Sequence, residues 1–419
     1  MKTLTIPTKP IFIKNKNFET ILIHVLFPYE EKVDDLAKQT ILPSLLAFMN
    51  EKYQTESEFQ KKRLENYILS FHVKQQTIGT SAAIMFSMTI PDKKNLKEDY
   101  LEEQIDFLAQ CIYHPKIIDG GFDSFEFDRE KENLTKNIKS IDKNFKRYLR
   151  KRSNQLVDNE NILTQSITNH IEQIETLTRK NVYEFYLDKI KNNTPIIFAM
   201  GNIESQEIVP LLEKHLVKTK EKEQTLTANY NYYLKPFRES PQEITEEKDF
   251  KDSALVLAYK VKGMKEQDKV TLTAICSLLS SLSSRLLNKK LRDEYNLVYA
   301  TDTLYYSSFG VLFIYAYINP KNKDLCLEKI KEVIEELKDE EQIAPLLEKI
   351  KERFRTNQIK NLDNKNMIIN DIIKKKLKIG MTEKEYLKKL EKLTTNDIKE
   401  LIERLNLDTI YFLKEKSDE

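Results

Sequence analysis

The chain has 419 residues, of which 40% are hydrophobic and 32% are charged, and its formal net charge at pH 7 is +2. This length is typical of roughly two to three domains, and the balanced charge excludes a whole-chain field that would attract nucleic acid or anionic membranes. The seven glycines form no glycine-rich phosphate loop. The three scattered cysteines, Cys111, Cys276 and Cys326, favour buried thiols over a disulfide framework or a zinc knuckle.

The N-terminal segment, MKTLTIPTKPIFIKNKNFET, lacks the apolar core and the small-residue cleavage site of a signal peptide. No run of the sequence approaches the roughly 18 apolar residues that a transmembrane helix needs. We therefore predict a cytoplasmic protein without a membrane partner.

Apolar runs and helical spacings predict mixed strands and helices in the first half of the chain. In chain order these are strands 11–13 and 20–27, helices 35–53 and 56–66, strands 68–73 and 82–90, helices 97–113, 125–156 and 177–190, and strand 195–201. Thr178 is the predicted N-cap of the helix 177–190, because its hydroxyl can accept a bond from a free backbone N–H group.

The second half of the chain repeats this order of elements. Its predicted elements are strand 253–261, helix 270–279, a helix that begins at Ser283 or Ser284 and ends near Asn296, strands 297–305 and 311–318 joined by the loop 307–310, helix 324–338, and strand 409–413. The segments LTRKNV (177–182) and LTTNDI (393–398) are similar, and each precedes a helix and a strand. We therefore predict two homologous α+β domains with largely antiparallel sheets, at 1–217 and 250–419, joined by a charged linker, 218–249.

One stretch, residues 283–299, carries the clearest functional signal and reads SSRLLNKKLRDEYNLVY. An arginine such as Arg292 can bind a peptide carbonyl or carboxylate with fixed geometry, and a phenol such as Tyr299 can donate to a carbonyl or an oxyanion. Taken alone, the two residues also fit a surface arginine at a helix end and a core tyrosine in a strand.

With its surrounding string, this stretch resembles the second-domain signature of the M16 (pitrilysin or insulinase-like) metallopeptidases, in the processing-peptidase subfamily M16B. The resemblance implies that Arg292 and Tyr299 hold the substrate peptide against the zinc site of a facing half. It also implies two homologous α+β halves per chain, which face a second pair of halves and enclose a chamber.

Active members of that family carry H-x-x-E-H on the first long helix, where two histidines four residues apart bind zinc and the glutamate acts as general base. A more distant glutamate completes the ligand set. This chain cannot supply the histidine pair, since its five histidines are dispersed: His24, His72, His114, His170 and His215.

Placing the family motif on the first predicted helix puts Thr40, Pro43 and Ser44 where the histidine, glutamate and histidine would stand. The distal glutamate would fall at Lys136 or Asn137, and a lysine there would repel a dication. We therefore predict no metal, no other cofactor and no catalytic residue in this chain.

The segment 136–152 (KNIKSIDKNFKRYLRKR) is strongly basic and leaves three alternatives open. It fits a solvated helix, a chamber wall that attracts an acidic peptide, or a phosphate-binding surface for nucleic acid. The rest of the chain is not basic, which disfavours nucleic acid.

The resemblance predicts a catalytically inactive, substrate-binding subunit of a heterodimeric zinc peptidase. Its partner would be a separate, homologous chain that carries H-x-x-E-H and the zinc ion. The expected substrates are unfolded or short precursor peptides, for example a bacteriocin or a signalling peptide. Two alternatives remain: a structural or assembly scaffold of the same fold without peptide handling, and a peptidase that acts alone with unorthodox ligands.

Overall fold

The computed structural model describes residues 2–78, 80–218, 225–228, 237–280, 285–361 and 363–416. The chain forms two compact units. Unit 1 comprises Met1–Ser140, Ser166–Tyr230 and Ile372–Gly380, and unit 2 comprises Ile141–Gln165, Asn231–Asp371 and Met381–Glu419. The domain boundaries that we drew from the sequence repeat stay a prediction.

The strands of the described residues are short and mostly apolar. They are β1 (Lys2–Thr5), β2 (Ile11–Lys14), β3 (Thr20–Glu30), β4 (Ser70–Ile78), β5 (Ser81–Pro91), β6 (Ile117–Ile118), β7 (Gly121–Phe122), β8 (Ile196–Gly201), β9 (Thr225–Ala228), β10 (Gln242–Lys248), β11 (Ser253–Val261), β12 (Val298–Tyr306), β13 (Val311–Ile318) and β14 (Leu405–Glu415).

The helices vary from single turns to a six-turn rod. They are α1 (Leu36–Leu45), α2 (Glu56–Glu65), α3 (Leu101–Tyr113), α4 (Ser124–Ile141), α5 (Phe145–Val157), α6 (Glu172–Glu175), α7 (Arg179–Tyr186), α8 (Ser205–Leu216), α9 (Asp268–Ser280), α10 (Leu286–Asn288), α11 (Lys323–Glu336), α12 (Glu340–Asn361), α13 (Lys365–Leu377), α14 (Glu383–Glu391) and α15 (Thr395–Arg404). Two of them continue as π-helical turns: α7 into Leu187–Lys191, and α10 into Lys289–Glu294.

Unit 1 is built on a five-stranded sheet in the order β2-β8-β3-β5-β4. The β2–β8 pair is parallel, and the other pairs are antiparallel. Alternate side chains of β3 enter one hydrophobic core with the helices, as expected for the two-residue period of a strand. These side chains are Ile21, Ile23, Val25, Phe27 and Tyr29.

Unit 2 repeats this arrangement with a five-stranded sheet in the order β10-β14-β11-β13-β12, of which only the β10–β14 pair is parallel. One face of β11 packs in a core with α9, α11, α12 and α15. On the other face Leu149 and Val157 of α5 pack with Val256, Phe313 and Tyr411. The predicted fold class, two homologous α+β domains with largely antiparallel sheets, is confirmed.

The two similar segments of the sequence form the same local structure in both units. Thr178 and Asn181 form a capping box at the start of α7, and Thr394 and Asp397 form one at the start of α15. Each of these helices leads to a strand, β8 or β14, that lies second in its sheet. The predicted cap at Thr178 is confirmed, and the repetition extends to the sheet order.

Three predicted elements differ from the structure. The helix predicted over 125–156 is two helices, separated at Asp142–Asn144, where the Asn144 side chain accepts from the backbone N–H of Arg147 at 3.0 Å and caps α5. The helix predicted over 35–53 ends at Leu45. Part of the predicted linker is strand β10. Its charged sequence did not predict a strand, because β10 is an edge strand whose side chains are alternately exposed.

No helix among the described residues is long and apolar enough to cross a membrane.

His24 lies in β3 with 3% of its surface exposed, and burial, helped by the charge of Lys74, lowers its pKa to about 4. The unfolded chain therefore binds a proton between pH 6.5 and 4 that the folded chain excludes, so folding stability falls as the pH drops through this range. The full effect is roughly 3 kcal/mol below pH 4. We expect His24→Leu to reduce the pH dependence of urea unfolding between pH 7 and 4. The control is His72→Ala, at an exposed position of β4, which should not change the pH dependence of unfolding. The prediction is wrong if His24→Leu shows the same pH dependence of unfolding as the wild type.

Candidate functional site

The candidate site lies in unit 2, where α10 and its π-helical continuation lead into β12. Leu287 and Leu291 are fully buried and anchor this helix to the core. The helix ends as predicted: Asn296 adopts a left-handed conformation with φ of 51°, and the Leu297 N–H donates to the Leu291 carbonyl at 2.7 Å. The predicted cap residues Ser283 and Ser284 lie outside the described residues. The hairpin loop at 307–310 is confirmed, since β12 ends at Tyr306 and β13 begins at Val311.

Side-chain contacts fix this helix against neighbouring elements of the unit. Asn288 accepts a hydrogen bond from the Thr301 hydroxyl of β12 at 3.1 Å. Lys290 donates to Glu336 of α11 at 2.8 Å and lies 3.6 Å from the Glu332 carboxylate. The helix and the strand that carry the two predicted site residues are therefore joined directly.

Arg292 and Tyr299 both present their side chains to solvent. The Arg292 side chain is exposed, and among the residues that the structure describes it has no carboxylate partner. Tyr299 is 65% exposed, so it is not the core tyrosine that the sequence also allowed. Both exposed side chains carry hydrogen-bonding groups, and their roles as peptide contacts stay a prediction.

Tyr299 lies at an irregularity in β12. Val298 pairs with Ile318 and Ala300 pairs with Tyr317, so Tyr299 is an extra residue in the β12–β13 ladder. Such bulges re-aim a side chain and often lie beside functional sites. β12 is also the outer strand of its sheet, which leaves one backbone edge without a strand partner among the described residues.

Two of the residues that the sequence analysis placed at the metal-ligand positions take structural roles in α1. The Thr40 hydroxyl donates to the Leu36 carbonyl at 2.6 Å, and Pro43 is buried within the helix. Lys136 of α4 is 69% exposed and pairs with Glu132, one turn away, at 2.5 Å. Within the described ranges, no three His, Cys, Asp or Glu side chains are grouped so as to hold a metal ion.

A polar network that sequence reasoning missed lies next to Thr40. The buried Gln39 accepts from the Tyr29 hydroxyl at 3.0 Å and donates to Glu31 at 2.7 Å, and Gln75 of the edge strand β4 donates to the same carboxylate at 3.2 Å. Burial raises the pKa of Glu31, although both amide donors oppose the shift. This network ties α1 to β4 through hydrogen bonds. No sequence signal could reveal it, because its members are 8 to 44 residues apart.

Four of the eight cations in the basic stretch 136–152 form ion pairs, and Lys136 is one of them. Arg150 pairs with Asp302 at 2.8 Å, Lys151 pairs with Asp142 at 2.9 Å, and Arg152 pairs with Glu246. The other four cations, Lys139, Lys143, Lys146 and Arg147, are exposed. The solvated-helix, chamber-wall and nucleic-acid interpretations therefore all stay open.

The cysteines offer no reactive thiolate. Burial raises the pKa of the Cys326 thiol to about 12 and also raises those of Cys111 and Cys276. Cys276 shares hydrogen bonds with Thr303 in a contact between α9 and β12. All three thiols are therefore inert packing groups at neutral pH.

Comparison with known proteins gives consistent matches. A family model described as the Peptidase M16 inactive domain matches residues 176–353. The "Probable inactive metalloprotease YmfF" of Bacillus subtilis (strain 168) is 22% identical over 408 residues, which cover 96% of this chain and 94% of that protein. The crystal structure of a conserved protein from Enterococcus faecalis V583 superposes with a TM-score of 0.88 at 22% identity, over 100% of this chain and 99% of that one.

A longer protein also shares the fold. The crystal structure of the periplasmic protease PqqL from Escherichia coli superposes with a TM-score of 0.70 at 11% identity. The match covers 100% of this chain but only 48% of PqqL. PqqL therefore contains about as much additional polypeptide as this chain provides.

Proposed function

Because the chain is an inactive, metalloprotease-like member of the M16 family, we propose that it is the substrate-holding, non-catalytic subunit of a two-chain zinc peptidase. The observation that carries this proposal is the exposure of both Arg292 and Tyr299, on elements that are joined directly. It is supported by the sequence prediction that Thr40, Pro43 and Ser44 stand at the metal-ligand positions. A protein without peptide handling has no need to keep both exposed groups.

The two side chains supply complementary contacts to a peptide backbone. The Arg292 guanidinium presents fixed parallel donors, and each charged hydrogen bond to a carbonyl or carboxylate is worth about 1.5–3 kcal/mol. Tyr299 follows Arg292 by seven residues, and its hydroxyl donates to a second carbonyl of the peptide. Together they hold the peptide in one register, so that the reacting bond is positioned by binding energy from a distance.

The catalytic zinc belongs to a separate partner chain in this proposal. The length of PqqL supports it, since that single chain is about twice as long as the region that matches here. The partner would be a homologous M16 chain whose H-x-x-E-H motif would hold the zinc ion, and that ion would supply a water molecule activated for peptide hydrolysis. This chain would hold the peptide. The substrates would be unfolded or short precursor peptides, processed in the cytoplasm.

Reconstitution tests this function. We would measure zinc content and cleavage of an unfolded fluorogenic peptide for this chain, for the H-x-x-E-H protein encoded nearest to it, and for their mixture. We expect this chain to be zinc-free and inert alone and to raise the partner's turnover about tenfold or more, since two peptide contacts together exceed 1.4 kcal/mol. Absence of both a complex and any stimulation would refute the subunit proposal and favour a scaffold. Stoichiometric zinc and chelator-sensitive cleavage by this chain alone would indicate a peptidase that acts by itself.

A further inference from the structure

An exposed aromatic residue, Tyr295, lies between the two proposed peptide contacts in the sequence. Tyr295 is the C-cap of the helix that carries Arg292, three residues after that arginine. Strand β12, which carries Tyr299, begins three residues later, at Val298. The Tyr295 side chain is 43% exposed. Large aromatic residues bury 150–250 Å² when covered, so an uncovered ring at this place has a substantial contact area to offer.

Charged neighbours hold this ring in place. The ammonium groups of Lys290 and Lys329 lie 5.9 Å and 5.0 Å from its centroid. Lys329 pairs with Glu332 at 2.6 Å, and Lys290 pairs with Glu336 at 2.8 Å, so both ammonium groups are themselves fixed by carboxylates of α11. These carboxylates raise the pKa of both lysines, which stay charged at neutral pH.

From this geometry we propose that Tyr295 is a specificity-determining residue of the peptide site, where it selects a large apolar or aromatic substrate side chain next to the backbone contacts of Arg292 and Tyr299. The inference rests on the proposed function and adds a side-chain preference to it. A ring that is oriented before binding loses little conformational freedom when the peptide covers it, which is why rigid tyrosines dominate binding surfaces. The lysines act as positioning residues, because they contact the ring.

The alternative is that Tyr295 only closes the end of the helix. Both roles predict that Tyr295→Ala lowers stability somewhat, so stability does not separate them. A preference for one substrate side chain does, because a purely structural residue affects all peptides alike. Tyr295→Phe preserves the ring and its packing and serves as the conservative variant.

The experiment measures binding of fluorescein-labelled, unstructured peptides in which a single Phe is moved along an Ala/Ser sequence. The protein is the full-length chain mixed with the partner carrying Gln in place of its motif glutamate, so that nothing is cleaved. We expect Phe at one or two positions to improve affinity about tenfold over the all-Ala/Ser peptide. Tyr295→Ala should abolish this preference, and Tyr295→Phe should retain it. Tyr67→Ala, at a tyrosine of unit 1 that is 48% exposed, should also retain it.

The outcomes separate this inference from the proposed function. If peptide binding depends on Arg292 but shows no preference for Phe, the inference is wrong and the proposed function stands. The same holds if the Phe preference persists in Tyr295→Ala. Peptides that do not bind, or bind independently of Arg292, overturn both. Circular dichroism spectra and melting curves of each variant establish that any loss reflects the site and not the fold.

Discussion

Arg292→Ala is expected to lower the kcat/KM of the reconstituted peptidase roughly tenfold to a hundredfold. The guanidinium is exposed, has no carboxylate partner among the described residues, and lies on a helix that is tied to β12 by Asn288 and Thr301. Loss of one charged hydrogen bond of about 1.5–3 kcal/mol produces a loss of this size. Steady-state cleavage of the fluorogenic peptide, with the partner at saturating concentration, measures it.

The matched control for this variant is Arg353→Ala. Arg353 is an exposed arginine of α12 in the same unit, so its removal makes the same change in charge away from the site. Tyr299→Phe should give a smaller loss than Arg292→Ala, since it removes one neutral donor. If Arg292→Ala and Tyr299→Phe both leave turnover unchanged while the complex still forms, the peptide-holding role is wrong and the scaffold interpretation gains support.

Local signals in the sequence predicted the end of the helix that carries Arg292, the hairpin loop after β12 and the start of α7. Asn296 tolerates the left-handed conformation that ends the helix, and the loop 307–310 contains Gly310, which has φ of 72°. Thr178 and Thr394 begin helices through capping boxes that depend only on residues three apart. Because each of these devices is completed within a few residues, a single sequence carries the whole signal.

Features that depend on distant residues were not predictable. The bulge at Tyr299 arises from the pairing of β12 with β13, and strand β10 is recognisable only when β14 lies beside it. The positioning of Tyr295 depends on Lys329, which is 34 residues further along the chain and reaches the ring only in the folded unit. The helices α12 to α14 had no prediction, and α12 includes Pro345 at its sixth position, where proline disfavours a helix.

Asp408→Ala is expected to destabilise the chain by about 3–5 kcal/mol, because it leaves a buried cation without a partner. Asp408 is fully buried, and Lys260 is only 3% exposed. The Oδ1 atom of Asp408 lies 3.0 Å from the Lys260 ammonium, so the two groups form an ion pair, but Oδ1 accepts no hydrogen bond from the described residues. Arg238 donates to the other carboxylate oxygen. Asp408 occupies a bulge of β14, because Leu407 pairs with Tyr259 and Thr409 pairs with Ala258. The Asp408–Lys260 ion pair therefore lies within the sheet that also contains β12.

Urea unfolding followed by circular dichroism measures this loss, since the chain has no tryptophan. The double variant Lys260→Met/Asp408→Leu should be more stable than Asp408→Ala alone, because it removes both buried charges and fills their volume with apolar groups. Asp293→Ala, at an exposed position beside Arg292, is the control and should change stability by less than about 0.5 kcal/mol. Equal stability of Asp408→Ala and the wild type would mean that water reaches Lys260. In that case the sheet around Lys260 would be accessible to water, and it would not support the edge strand β12 and the proposed peptide contact at Tyr299 rigidly.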